Sequence, residues 1–492
     1  MRKIIISRLF LYRNRFYIGY VLLGLAFIAL LVFMPSISPD GLSETEVQSA
    51  VTSYNLNFSS LTSDNVIDLP YHVLQKISIL VFGLTNYAIK LPSILIGLAL
   101  GFLLILLLNR WFKNNVALFA SILTILSSPF LYLAGSGTPL IMLVFWPTFL
   151  LWLGSKIQGV KKPRPSYCFI FAAALLLSLF TPHLIYLAVF IVLFAMIQPH
   201  LRFTVTHLPK VPLVISGIVI IAGLVLLGIN ISAHPETIVT LLAANGLTAS
   251  SYFGNIGTAF VPFFSWSGGT ESLFLSPLIG LATIAIALTG LISTAKGFFA
   301  SRNSIASCFI IFTVILAGFN PDSAILIILP LSILIAHGLR YILEKWYGLF
   351  PENPYARIFA ILPISIFLGI IIVSDLTHFT FGYRYDPSVA INFSNDLALV
   401  HQNLDNKSAT LLVEENTLSS QFYSILNEDA EVYVTTTLPE NVSGPIAILG
   451  NSNISPSVLP KEYQLHRIVT SQKSDNSARI YIYTRPGVEQ GQ

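Results

Sequence analysis

LVFGLTNYAIKLPSILIGLALGFLLILLLNRWF, Leu80 to Phe112, holds an uncharged apolar stretch, Leu91–Leu108, bracketed by Lys90 and Arg110. As a helix rising ~1.5 Å per residue, it matches a hydrocarbon core of ~30 Å. Similar runs recur at Ile18–Met34, Val116–Leu133, Leu140–Leu153, Tyr167–Phe180, Leu184–Ile197, Val211–Ile229, Leu273–Ile292, Ile305–Phe319, Ala324–Leu339 and Ile358–Ser374. Composition agrees: 54% of residues are hydrophobic and only 10% charged, which excludes an ordinary soluble globular domain. The chain is therefore read as a polytopic α-helical membrane protein with about eleven transmembrane helices.

Charge sets the orientation. With the amino terminus in the cytoplasm, the inner loops carry eighteen Lys and Arg, from Arg2 to Arg357, and the outer loops carry only Lys76 and Lys90. This positive-inside asymmetry, with an odd number of spans, puts the carboxy-terminal segment outside. The net charge of +4 reflects that bias, so no nucleic-acid partner is implied. The first run ends Met34-Pro35-Ser36-Ile37 without a small-residue cleavage site and reads as a retained span of a cytoplasmic-membrane protein. Cys168 and Cys308 both fall in apolar runs, so neither a disulfide framework nor a thiolate metal site is available.

The division that follows is a transmembrane domain, 1–374, and an extracytoplasmic domain, 375–492. Within the first, the long outer loops are 35–90 and 230–272. The spans are nearly free of ionisable residues, unlike those expected of a transporter or channel. Charge gathers at the outer face instead: Asp40, Glu44, Glu46, Asp64, Asp68, His72 and Lys76 in the first loop, and His234, Glu236 and Glu271 in the second. Tyr71–Gly83 reads as a short amphipathic helix along the interface, with Lys76 on its wet side. The two loops are expected to converge above the outer leaflet, since loops of this length are usually functional. In the last domain, Ala409–Val413, Glu431–Thr436 and Pro445–Leu449 read as strands, Leu418–Leu426 as a helix, and Gln464–Val469 with Ala478–Tyr483 as an edge hairpin. This small α/β sheet carries no phosphate loop or metal cluster, so docking or acceptor binding is its expected role.

Leu80–Phe112, the following Asn114–Leu153 with its Ser128-Pro129 element, and the late Ile325–Leu339 helix together resemble the GT-C glycosyltransferases. The likeness is to the protein O-mannosyltransferase and aminoarabinose-transferase-like branch. It implies an integral-membrane enzyme that moves a sugar from a polyprenyl-phosphate donor to a lipid, glycan or protein acceptor outside the cytoplasm, with inversion at C1. It also implies a first-loop carboxylate as general base. The chemistry requires one such group, because only the acceptor hydroxyl must lose a proton, and a cation to balance the leaving phosphate. A non-catalytic relative, or a flippase or transporter of lipid-linked sugars, is the alternative.

The register of the resemblance puts Thr45-Glu46 on the family's Asp-Glu pair, so Thr45 stands where the catalytic Asp is expected. The base is then sought in Glu46, Asp40 and Glu44, in that order, in preference to Asp64 or Asp68. Those two lie some twenty residues further on, in a Ser/Asn-rich stretch that reads as loop. Ser43 with Glu46 three residues later also reads as a capping box. His72, Lys76 and Lys90, the last in the place of a family Arg, are the expected phosphate contacts. Glu236 and Glu271 are expected substrate contacts from the second loop. The turn Gly135–Pro139 replaces a charged pair of the family, and the Gly137 backbone N–H is a candidate phosphate ligand, with a tight turn as the other reading. No cofactor is required by the residues, and a divalent metal stays open.

Overall fold

The computed structural model of the 492-residue chain describes residues 10–37, 41–57, 66–158, 164–243, 248–264, 275–297, 300–349, 354–386, 392–393, 397–404, 409–428, 433–437, 444–450, 452–470 and 478–485. Helices dominate up to Tyr385. They are α1 (Phe10–Ile37), α2 (Glu44–Asn55), α3 (Leu69–Phe82), α4 (Asn86–Trp111), α5 (Asn114–Ile125), α6 (Ser128–Gly135), α7 (Ile141–Gln158), α8 (Pro165–Ser178), α9 (Leu184–Ile197), α10 (Pro199–Thr206) and α11 (Lys210–Ala233). Then come α12 (Glu236–Leu241), α13 (Ala249–Phe264), α14 (Leu281–Ala295), α15 (Ser301–Phe319), α16 (Ile328–Leu349, entered through a 3-10 turn, Pro321–Ile327) and α17 (Pro354–Thr377).

Seven of these elements among the described residues are long and apolar enough to cross a membrane. The pair α5–α6 makes an eighth, bent by 60°. The bend divides the expected Val116–Leu133 run: the α5 ladder ends at Ile125, and Pro129, near the start of α6, has no N–H with which to continue it. The remaining expected runs are the shorter helices α8, α9 and α14. In the last case the helix starts at Leu281, later than the Leu273 read from hydropathy, after a non-helical approach through Ser276-Pro277. Helices α14 and α16 touch backbone to backbone. A Cβ on Gly290 would lie 2.0 Å from Leu334 O, and one on Gly338 would lie 2.1 Å from Ile286 O. Small residues of this kind are what allow close helix approach in lipid.

The first outer loop is built from α2 and α3. Helix α3 is amphipathic as expected, but its polar face points inward. Leu74, Ile77, Leu80, Val81 and Phe82 are exposed, whereas His72, Gln75 and Ser78 are buried and Lys76 is half-buried. An interfacial helix with this distribution offers its apolar face to lipid and its polar face to protein.

Beyond α17 the chain forms α18 (Leu397–Leu404), β1 (Thr410–Leu412), α19 (Leu418–Glu428), β2 (Tyr433–Thr435), β3 (Ile446–Leu449), β4 (Gln464–Thr470) and β5 (Ala478–Thr484). The sheet order is β2-β1-β3-β5-β4; β1 runs parallel to β2 and β3, and β5 antiparallel to β3 and β4. The expected strands, helix and edge hairpin are all present. The domain is seated on the first loop: Leu42, Val47, Ala50, Ile79, Leu84 and Ile89 share one apolar core with Leu397, Val400, Phe422 and Ile480. His401 Nε2 lies 3.0 Å from Leu84 O.

Candidate active site

Two polar constellations occupy the end of the bundle that carries the long loops. The first surrounds Glu46, which is buried in the first turn of α2. Its backbone N–H donates to Ser43 Oγ (3.2 Å) while Ser43 N donates to Glu46 Oε2 (2.9 Å), completing the capping box. Glu46 Oε1 accepts from Gly137 N at 2.7 Å and lies 3.9 Å from Lys90 Nζ. Position 137 is glycine for lack of room: a Cβ would meet Ile89 Cγ2 at 2.7 Å. Gln75 Nε2 donates to Ile89 O and Gly137 O, both at 3.0 Å. Gln75 Oε1 accepts from the hydroxyls of Ser49 (2.8 Å) and Ser53 (2.6 Å), and Ser53 Oγ is 2.7 Å from His72 Nδ1. Lys76 Nζ donates to the carbonyls of Tyr54 and Leu56 at the end of α2.

The structure thus gathers Glu46, His72, Lys90 and Gly137, with Lys76 at the flank. The arrangement is closed. A buried carboxylate must be paired and hydrogen-bonded to be tolerated, and here those partners come from the fold itself. Its chemical effect is to clamp α2, α3, the start of α4 and the α6–α7 turn together. Of the other expected site residues, Glu44 is exposed in the first turn of α2, and Glu236 is exposed with Oε1 3.2 Å from His234 Nδ1. Asp40 and Glu271 lie outside the described residues.

The second constellation lines a cavity of about 300 Å³ that includes Asp68, Thr181, His183, Ala243, Asn320 and Asp322. It forms where the first and second long loops meet, as the loop lengths led us to expect. Asp68 N donates to Phe180 O (2.8 Å) and His183 N donates to Leu241 O (3.0 Å), which ties the α8–α9 turn to both loops. Three of the four non-glycine residues with positive φ among those described, Asp68 (52°), His183 (68°) and Ala243 (50°), stand in its wall. Such conformations are costly, and clusters of them mark functional sites. Asp68 Oδ1, Thr181 Oγ1 and both ring nitrogens of His183 are buried there without a hydrogen-bond partner among the described residues.

Burial pushes the Asp68 carboxyl up to about 8, and burial takes the His183 imidazole down to about 4. Near neutral pH the histidine is uncharged, and the carboxyl can exchange a proton close to the working pH. Glu44, Glu46, Lys76, Lys90 and Gly137 do not line this cavity. Glu46 is fully paired within the fold, whereas Asp68 lines the cavity. Sequence reading does not single out His183, Asn320 or Asp322. Their usable signal is position, since each is a polar residue in a short turn between apolar runs, at the end of the bundle that carries the long loops. Among the described residues no three His, Cys, Asp or Glu side chains converge to hold a metal ion.

A helical bundle, two loops enclosing a cavity and a sheet seated on the first loop make up a fold that this chain shares with solved membrane-protein structures. The crystal structure of ArnT from Cupriavidus metallidurans in the apo state matches over 97% of this chain and 100% of its own, with 14% identity and a TM-score of 0.56. The same protein bound to undecaprenyl phosphate matches over 96% and 99%, with 14% identity and a TM-score of 0.52. The oligosaccharyltransferase AglB from Archaeoglobus fulgidus, in complex with an inhibitory peptide and a dolichol-phosphate, matches over 90% of this chain and 70% of its own (12% identity, TM-score 0.51). No family model and no curated protein matches the chain by sequence.

Proposed function

We propose that this chain is an integral-membrane glycosyltransferase that moves a sugar, with inversion at C1, from a polyprenyl phosphate to a lipid, glycan or protein acceptor. The cavity faces the extracytoplasmic side of the cytoplasmic membrane, on which the Lys/Arg distribution also sets the carboxy-terminal domain. The observation that carries this reading is the cavity itself, where Asp68 presents an unpaired carboxyl oxygen in a wall assembled from both long loops. The fold shared with proteins that bind undecaprenyl or dolichol phosphate supports the donor class.

In the proposed reaction the acceptor oxygen attacks C1 from the face opposite the phosphate. The C1–O bond breaks with its electron pair remaining on the polyprenyl phosphate, and the acceptor proton passes to the ionised Asp68. Neutral His183 and Asn320 offer hydrogen bonds to sugar hydroxyls. Glu46 acts at one remove, holding the Gly137 turn whose continuation, Pro139 and Leu140, lines the same space.

One observation favours a second reading, a non-catalytic relative that binds lipid-linked sugar. No Lys or Arg is among the described residues lining the cavity, so the cation expected to balance the leaving phosphate is not supplied by them. A single experiment decides between the readings. Purified protein is incubated with a panel of polyprenyl-phosphate sugars and acceptors, and released polyprenyl phosphate is measured. Release that Asp68→Asn lowers ~10²–10⁴-fold supports the enzyme. Binding of the panel without release by the parent protein assigns the non-catalytic role.

A further inference from the structure

At the opposite, basic end of the bundle lies a second cavity of about 490 Å³, walled by α7, α8, α9, α10 and α11 with a contribution from α15. Its lining is almost wholly apolar, with Phe171, Leu175, Phe190 and Phe194 among the walls. Two features set it apart from a packing defect. First, the segment that supplies most of its wall, from Ile141 to Pro235, contains no Asp or Glu, and cations stand exposed among its lining residues. Arg202 is exposed on α10 between the lining residues Leu201 and Thr204, and Lys210 is exposed between the lining residues Leu208 and Leu213. Arg110 Nε donates to the carbonyl of Ser155, itself a lining residue, at 2.9 Å. Second, Ser216 lines the cavity and is buried, and its hydroxyl has no partner among the described residues. A buried hydroxyl without a partner is unfavourable, so a ligand atom able to bond it is expected.

From these features we infer that the cavity binds an anionic two-chain glycerophospholipid. Its acyl chains fill the apolar space, its phosphate lies among Arg202, Lys210 and Arg110, and an ester carbonyl accepts from Ser216 Oγ. The helical rise between positions 210 and 216 is about 9 Å, so the hydroxyl lies below the basic rim. The short helix α10 contributes Leu201, Thr204 and Val205 to the lining, with Arg202 exposed. A polyprenyl tail would fill the same volume but offers nothing to Ser216, which is why the ester lipid is favoured. In the proposed topology this lipid comes from the cytoplasmic leaflet, whose anionic lipids attract juxtamembrane cations.

Native mass spectrometry of the full-length protein in detergent tests the assignment, with added dioleoyl-phosphatidylglycerol, dioleoyl-phosphatidylcholine or undecaprenyl phosphate as probes. One phosphatidylglycerol should be retained in preference to phosphatidylcholine, and Arg202→Ala or Lys210→Ala should each reduce that preference about fivefold. Ser216→Ala should weaken retention of both diacyl lipids. Gly217→Phe should abolish it, because position 217 lines the cavity, a Cβ there meets nothing within 4 Å, and the new ring takes the space of the acyl chains. Lys210→Glu provides a surface variant that leaves the wall intact and should reverse the headgroup preference. Equal retention of the two diacyl lipids, retention unaffected by Gly217→Phe, or displacement by undecaprenyl phosphate at equimolar concentration would each overturn the proposal. The readout involves no transfer reaction, so failure here is distinct from failure of the glycosyltransferase reading.

Discussion

Asp68 holds a left-handed backbone conformation before a helix, is buried to 8% exposure and keeps one carboxyl oxygen unpaired. Its proton affinity makes opposite demands on activity and stability. With its carboxyl shifted to about 8, the base form grows as pH rises, so transfer should increase about tenfold per pH unit below that value and level off above it. Folding behaves the other way. The folded state holds this proton more tightly than the unfolded chain, so the contribution of Asp68 to stability falls as pH climbs from about 4 to about 8. Asp68→Asn should therefore lose activity at every pH while melting no lower than the parent at pH 8 and above, as read by kinetics and thermal unfolding in detergent. Glu46 behaves differently. Glu46→Ala leaves Lys90 buried without its partner, and a loss of about 3–5 kcal/mol is expected in denaturant titration. The sequence makes Glu46, Lys90 and Gly137 legible as a group, since the residues that clamp a loop are the same types that would bind a phosphosugar. Only burial and pairing separate the two roles, and these depend on residues 91 positions apart meeting in space.

At the level of elements, the apolar period locates nearly all the helices and the strand order of types in the last domain. It misplaces those boundaries where backbone chemistry overrides hydropathy, at the α5–α6 break and in the 3-10 entry to α16. Helix α3 shows a subtler effect. Its amphipathicity is plain in the sequence, but periodicity does not say whether the wet side is water or a buried polar network. The α6–α7 turn provides a test of the clamp. Gly137→Ala pushes a methyl into Ile89, and overpacking of this kind should cost about 1–3 kcal/mol. Because Pro139 and Leu140 follow directly, the same substitution should raise KM for the lipid-linked donor, while Gly228→Ala, which meets nothing within 4 Å and lines neither cavity, should leave KM unchanged.

For the whole molecule, the Lys/Arg map and the shared core make one joint statement: the first loop and the carboxy-terminal domain lie on the same side. Single cysteines at the exposed positions Gln48 and Ser457 should both react with a membrane-impermeant maleimide in intact cells. Protection of either until lysis would reverse the proposed orientation.

That shared core also has a temporal meaning. Leu84 and His401, which lie within hydrogen-bonding distance, are 317 residues apart. At a synthesis rate of about 5–20 residues per second, the first loop is made roughly 15–60 s before the surface that covers it. During that interval Leu42, Val47, Leu84 and Ile89 have nothing above them. The nascent chain must therefore wait half-dressed, with its apolar loop available to lipid or to a folding helper. The outer surface of the first loop is covered last, when the final strands close over the segment made first.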